Sequence, residues 1–220
     1  MAILGKPDKE RLLAWYQENG RHELPWRKLQ TPWAIFVAES LLRRTKASTV
    51  AGIYPSLIDE FRCPEDVLGQ KNLWQQQTNP LGIASRANQF FSACEQLIQQ
   101  HQGKVPGNYK NLITLPGVGH YIANAVISFG YHRPVYIIDT NTIRVASRVT
   151  GEQITQAEHR SKKAKRLLEH CFGDQDGLSP DLNFALLDLA FSICKTSKPD
   201  CNACPLSSRC EYGVAAANTA

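Results

Sequence analysis

No apolar run in this chain approaches the roughly 18 residues needed to cross a bilayer. The opening MAILGKPDKERLLAW lacks an apolar core ahead of a small-residue cleavage site, so it does not read as a secretory signal. The expectation is a soluble, cytoplasmic protein without a membrane span. No stretch alternates apolar and polar residues long enough to build a sheet, and no repeat, low-complexity tract or long linker interrupts the chain. A disulfide framework is also disfavoured, because the cysteine count of seven is odd and no signal precedes it. Charge of one sign is only mildly short: 25 Lys and Arg against 20 Asp and Glu leave +5, with pI ≈ 8.8. That leans toward an acidic partner, although many basic proteins have none. At 220 residues and 43% hydrophobic content, the chain suffices for one large domain or two small lobes.

What is present is helical periodicity. Apolar positions recur at helical spacing over 8–18, 32–45, 48–61, 85–100, 120–129, 140–149, 156–171 and 180–194, with shorter helices or turns over 64–69, 71–76 and 108–114. Gly and Pro punctuate at Gly20, Pro80–Gly82, Gly103–Gly107, Gly130–Pro134, Gly151 and Gly173–Pro180. Val135–Ile138 is short and β-branched, and reads as a buried extended link. The final GVAAANTA reads as a frayed tail. The fold class expected is all-α.

LPGVGHYIANAVISFGYHRPVYIIDTN, residues 115–141, carries the strongest local signal. A dinucleotide loop would need a third glycine at 122, which is Ile, and a preceding strand, where KNLITL reads as a helical turn. The alternative is a hairpin between two helices. Gly117, Val118, Gly119 and His120 then leave backbone N–H groups open at a helix start, which suits a nucleic-acid phosphate. A tight interhelical turn, with glycine serving only close packing, is the plainer reading. Asp139, ahead of Thr140 and Asn141, reads as a helix N-cap. Beside a phosphate-binding hairpin it also suits stabilisation of the positive charge that builds on deoxyribose when an N-glycosidic bond breaks.

Cys194, Cys201, Cys204 and Cys210 form C-x6-C-x2-C-x5-C. Structural zinc more often uses two C-x2-C pairs, and only one is present. The wider spacings suit a [4Fe–4S] cluster held by four thiolates, with zinc as the alternative. Lys195, Lys198 and Arg209 lie around these cysteines and could offer positive charge to DNA. Cys63, Cys94 and Cys171 are scattered and read as free buried thiols.

Together these elements resemble the helix–hairpin–helix base-excision DNA glycosylases of the endonuclease III type. The resemblance runs from LPWR at 24–27 through LGIASRA at 81–87 to Cys210. It implies a two-lobed all-α fold: a six-helix lobe over 24–134, and a second lobe from 1–23 and 135–220 with its Cys loop at 194–210. It implies double-stranded DNA in the groove between the lobes, a flipped nucleotide and a monomeric enzyme. Endonuclease III-type lyases carry a lysine directly after the hairpin, where this chain has Tyr121; the resemblance therefore implies base release without strand cleavage. Tyr121 could equally be a core residue or a wall of the base pocket. Glu39, in AESLLRRT, matches a Glu that the adenine and thymine mismatch enzymes share; a surface pair with Arg43 is the plainer reading. Arg43–Arg44–Thr45 stands where adenine glycosylases have Gln–Gln–Thr. Two arginines there suit the gap left by an extruded base, or are a solvated charge pair. Asp139 is followed by Thr rather than the Gly usual in adenine enzymes, and only ten residues follow Cys210, with no domain of the kind that reads 8-oxoguanine. The resemblance thus points to removal of thymine or uracil opposite guanine. Removal of adenine opposite 8-oxoguanine or guanine, and a non-catalytic DNA-binding protein, are the alternatives.

Overall fold

The computed structural model describes residues 2–82, 84–155, 158, 161–173 and 178–217. Ile83 of LGIASRA, residues 156, 157, 159 and 160 of the expected 156–171 helix, residues 174–177 of the expected break, and the last three residues lie outside the described residues. Thirteen α-helices occur among the described residues: α1 (Lys6–Asn19), α2 (Pro25–Lys28), α3 (Pro32–Leu42), α4 (Ala47–Glu60), α5 (Pro64–Gly69), α6 (Lys71–Thr78), α7 (Ala84–His101), α8 (Tyr109–Leu112), α9 (His120–Ala125), α10 (Thr140–Thr150), α11 (Lys162–Phe172), α12 (Pro180–Ser192) and α13 (Glu211–Ala217). A π-turn, Val126–Gly130, prolongs α9. Among the described residues there is no strand, as expected, and no helix is long and apolar enough to cross a membrane. The chain forms two compact units, His22–His132 and Met1–Arg21 with Arg133–Ala220.

In the His22–His132 unit, α3 is the central rod. Thr31 caps it, its side chain accepting from Ala34 N at 3.2 Å, and Pro32 occupies the first turn. Ala34, Ile35, Phe36, Val37, Ala38 and Leu41 are all buried, so the helix is apolar on every side and must be enclosed by neighbours. Helices α4 and α9 and the π-turn pack on it, and Phe36 joins it to an aromatic cluster. Trp74 stacks on Phe90 (4.7 Å between centroids), Phe36 stacks on the same ring (5.6 Å), and Phe61 meets Trp74 edge-on (5.1 Å). The buried polar ends are satisfied: Tyr54 OH donates to Ala34 O at 2.8 Å and Trp33 Nε1 to Phe61 O at 2.8 Å.

In the other unit, α1 lays Leu12 and Tyr16 against α12, and α10 packs on both α11 and α12. The link 132–138 has no regular structure, and Tyr136 and Ile137 on it are buried. Its backbone is satisfied from α12, where the buried Asn183 accepts from Ile137 N (3.2 Å) and donates to Val135 O (2.8 Å).

Three expectations need correction. The helix expected over 32–45 stops at Leu42, because Arg43 takes an extended ψ of 110 and Arg44 a left-handed φ of 55. LPWR contains a single helical turn that the periodicity missed, since four residues are too few to show a period. The expected frayed tail begins as α13, an alanine-rich segment that packs on α10 and places Tyr212 under the Arg148 guanidinium (4.7 Å).

Two glycines separate packing from propensity. A Cβ on Gly130 would lie 2.8 Å from Pro32 Cα, whereas a Cβ on Gly52, inside α4, would meet nothing within 4 Å. Gly130→Ala should therefore lower stability by about 1–3 kcal/mol through overpacking. Gly52→Ala should raise it by about 0.5–1 kcal/mol through reduced unfolded-state entropy. Denaturant melts of the two variants should move in opposite directions.

Candidate active site

Asp139 opens α10 with its own carboxylate. Oδ1 accepts from the backbone N–H groups of Asn141 (2.9 Å) and Thr142 (2.8 Å), and Oδ2 accepts from Asn141 Nδ2 (2.8 Å). Thr142 answers by accepting from Asp139 N at 3.1 Å, and its hydroxyl donates to Ile137 O at 2.8 Å. The expected N-cap is present, and the carboxylate itself supplies it. A carboxylate has about four acceptor positions. Three are taken here, which leaves one on the half-buried Oδ2. Thr140 is exposed beside it.

The same side of α10 runs on to the cysteines. Asn141 Oδ1 accepts from Arg144 Nη1 and Nη2 (both 3.2 Å). Arg144 also donates through Nε to Cys194 O (2.8 Å) and through Nη2 to Ala190 O (3.0 Å). One turn later Arg148 donates to Cys194 Sγ (3.3 Å), Lys195 O (2.7 Å) and Thr196 O (3.1 Å). Neither arginine was singled out from sequence. The i,i+4 spacing of the two arginines from each other, on the helix that Asp139 opens, was the available signal.

Cys194, Cys201, Cys204 and Cys210 are all free thiols. Burial pushes Cys204 up to about 11, and the charges of Cys194, Cys210 and Cys201 add to this, so the four groups lie within electrostatic reach of one another. Burial also raises Cys210. Among the described residues no group of three or more His, Cys, Asp or Glu side chains is placed to hold a metal ion. The fit to an iron–sulfur cluster rests on donor chemistry: four thiols in one short loop, with a guanidinium donating to one sulfur. Cys94 and Cys171 are buried as expected; Cys63 is half-buried, at the start of α5.

In the His22–His132 unit, Glu39 is 5% exposed, so it is not part of a surface pair. It lies close enough to Tyr54 that burial, and then the Glu39 charge, push the Tyr54 phenol upward. Arg43, the expected partner of Glu39, instead donates Nη1 to Gly117 O at 3.0 Å. Thr45 N donates to Leu42 O at 3.2 Å across Arg43 (φ −58, ψ 110) and Arg44 (φ 55). This is a type II turn with arginine at the position that normally takes glycine. The left-handed backbone of Arg44 is strained by about 1–2 kcal/mol. Arg43 and Arg44 are exposed and Thr45 is half-buried.

The hairpin is a second turn of the same type. Val118 N donates to Leu115 O at 3.0 Å across Pro116 and Gly117, with Gly117 at φ 79. Gly117 is needed for that φ. A Cβ on Gly119, which precedes α9 in extended conformation, would meet nothing within 4 Å, so packing within the chain does not require glycine there. His120 is exposed, and its Nδ1 pairs with the hydroxyl of Tyr109, whose ring stacks on it. Tyr121 is half-buried on the first turn of α9.

No protein-family model matches the chain. Over 207 residues it is 32% identical to the thymine-DNA glycosylase of Aeropyrum pernix, with 93% of each chain covered. It is 33% identical over 210 residues to the adenine DNA glycosylase of Mycobacterium tuberculosis, which covers 89% of this chain and 64% of that one. The solved structure of a thermostable thymine-DNA glycosylase matches with TM-score 0.82 at 29% identity, covering 96% of both chains. With its all-helical fold, its glycine hairpin and its capping aspartate in place, the chain belongs to the helix–hairpin–helix DNA glycosylases, enzymes that hydrolyse the N-glycosidic bond of a nucleotide in DNA.

Proposed function

We propose that this glycosylase removes thymine or uracil mispaired with guanine in double-stranded DNA, acting as a monomer, and leaves an abasic site without cutting the strand. Three relatives named for thymine or thymine/uracil are 31–32% identical over 90% or more of this chain and 88% or more of their own lengths. The observation that carries the chemistry is the Asp139 carboxylate, held by three hydrogen bonds with one acceptor position left over.

The hairpin Gly117–Val118–Gly119–His120 receives a phosphate, and the bareness of Gly119 admits it. Arg43, Arg44 and Thr45 meet the duplex where the mispaired base leaves. A G·T wobble costs less to open than a Watson–Crick pair, which favours extrusion at the mismatch. Tyr121 and Glu39 hold the extruded base, and Thr140 and Asn141 line the sugar–phosphate backbone next to Asp139. The C1′–N1 bond breaks with its electron pair going to the pyrimidine. Asp139 stabilises the cationic sugar, and water adds at C1′ and gives up a proton. Tyr121 offers no amine for a Schiff base, so no covalent enzyme–sugar intermediate forms. We also assign a [4Fe–4S] cluster to Cys194, Cys201, Cys204 and Cys210. When bound, it would crosslink the loop that carries Lys195, Lys198 and Arg209.

The adenine alternative is favoured by one observation, the burial of Glu39, which suits a carboxyl that protonates a leaving purine. Single-turnover assays on T/G, U/G, A/G and A/8-oxoguanine duplexes separate the readings. Release from T/G and U/G is expected, and release confined to the adenine duplexes would overturn the assignment. Borohydride should trap no adduct.

Asp139→Asn retains an acceptor for the first turn of α10, since Asn caps about as well as Asp. It should keep duplex affinity and thermal stability while losing on the order of 100- to 1000-fold in turnover. Normal turnover would exclude Asp139 from the chemistry. For the cluster, visible absorbance with iron and sulfide analysis should report iron, and Cys204→Ala should remove it; zinc in its place would refute the assignment.

A further inference from the structure

Arg86 was noted in sequence only as part of LGIASRA, and its position in the fold assigns it more. It lies on α7, 43 residues after Arg43. Its Nη1 donates to the Arg43 carbonyl, and its Nη2 reaches Thr45 Oγ1 at 3.5 Å. Thr45 Oγ1 lies 3.4 Å from the same Arg43 carbonyl. On the opposite flank, Arg43 is tied to the hairpin through Gly117 O at 3.0 Å. The residues on both sides of Arg44 are therefore pinned, while Arg44 itself holds a left-handed φ of 55. Such a backbone persists only where its surroundings over-determine it. The Arg44 guanidinium is exposed and, among the described residues, takes part in no hydrogen bond or ion pair.

Charge acts in the same direction. Burial, then the nearby Arg43 and Arg44 guanidiniums, lower the Arg86 pKa, so three like charges crowd this turn. Two of them are held by carbonyl oxygens. The third, Arg44, is exposed and has no such partner among the described residues.

We infer that Arg86 is a positioning residue for base extrusion: it braces the Leu42–Thr45 turn so that Arg44 is the side chain presented to the duplex, while Arg43 ties the turn to the hairpin. The inference rests on the proposed mismatch reading, in which this turn enters the DNA. Arg86 spends two of its N–H donors on Arg43 and Thr45, and acts in this reading as a brace rather than as a phosphate contact. A brace neutralises no phosphate, so its loss leaves the salt dependence of binding unchanged. Loss of a phosphate contact lowers that slope by about one.

The test compares Arg86→Gln, Arg86→Lys, Arg44→Ala and the Arg44→Ala/Arg86→Gln double variant on a G·T duplex with 2-aminopurine beside the mismatch. Arg44→Ala should lower the extrusion signal at saturating enzyme and slow single-turnover release about 10- to 100-fold. Arg86→Gln should do the same, with an unchanged slope of log Kd against log salt. Arg86→Lys keeps the charge but not the fork, and should resemble Arg86→Gln; it stands in if Arg86→Gln does not fold. The double variant should be no slower than Arg44→Ala. Multiplying losses, a slope reduced by about one, or an unimpaired Arg86→Gln would each overturn the brace. Full extrusion by Arg44→Ala would instead sink the reading of the turn as the duplex-entering element.

Discussion

The first turn of α10 begins with backbone N–H groups that have no carbonyl ahead of them, and the Asp139 carboxylate supplies their acceptors. That requirement fixes the carboxylate to which the proposed chemistry is assigned. A carboxylate on a flexible loop would have to be ordered at the moment of reaction. Here it is ordered by folding, because releasing it would unfasten the helix. Its neighbours reinforce the arrangement: Thr142 bonds back to Asp139 N and to Ile137 O, and Asn141 holds Oδ2 while Arg144 holds Asn141. Capping and the proposed chemistry then compete little, since the cap uses two acceptor positions on Oδ1, the Asn141 side chain a third on Oδ2, and the chemistry needs one.

A different economy operates around the turn after α3. There the structure accepts strain, placing arginine where a type II turn wants glycine. The turn is held from outside by Arg86 and by the bond from Arg43 to the hairpin. The rigid part is the helix behind it, buried on every side, with Phe36 on it reaching the Trp74, Phe90 and Phe61 cluster. A fully enclosed helix has little freedom to slide, so the strained turn at its end is aimed by the core as well as by its own hydrogen bonds. The two turns of this unit also share a feature: each ends in a left-handed residue, and the side chain leaving one is bonded to the backbone of the other.

Much of this was legible in the residues. The helical periodicity, the glycine hairpin and the aspartate twenty positions after it are local signals, and each reports a local requirement: a buried face, a positive φ, an acceptor at a helix start. The end of α3 was not legible. RRT continues the helical pattern acceptably, and the bonds that hold residues 43–45 outside the helix involve Arg86 and Gly117, distant in sequence. The final segment was misread for a related reason. Its alanines have good helix propensity, but seven residues are too few to be helical alone; packing on α10 and the contact of Tyr212 with Arg148 complete it.

By itself, then, the order of residues determined the all-helical class, the presence of the hairpin, the capping aspartate and the four-cysteine loop, because backbone conformation, capping and ligand spacing act over a few neighbouring positions. Tertiary structure alone decided that Glu39 is buried rather than paired with Arg43, that Arg43 faces the hairpin while Arg44 has no partner among the described residues, and that Arg144 and Arg148 run from the Asp139 end of α10 to the cysteines. Those outcomes depend on donors finding acceptors tens of residues away, and no local pattern encodes which long side chain will reach which carbonyl.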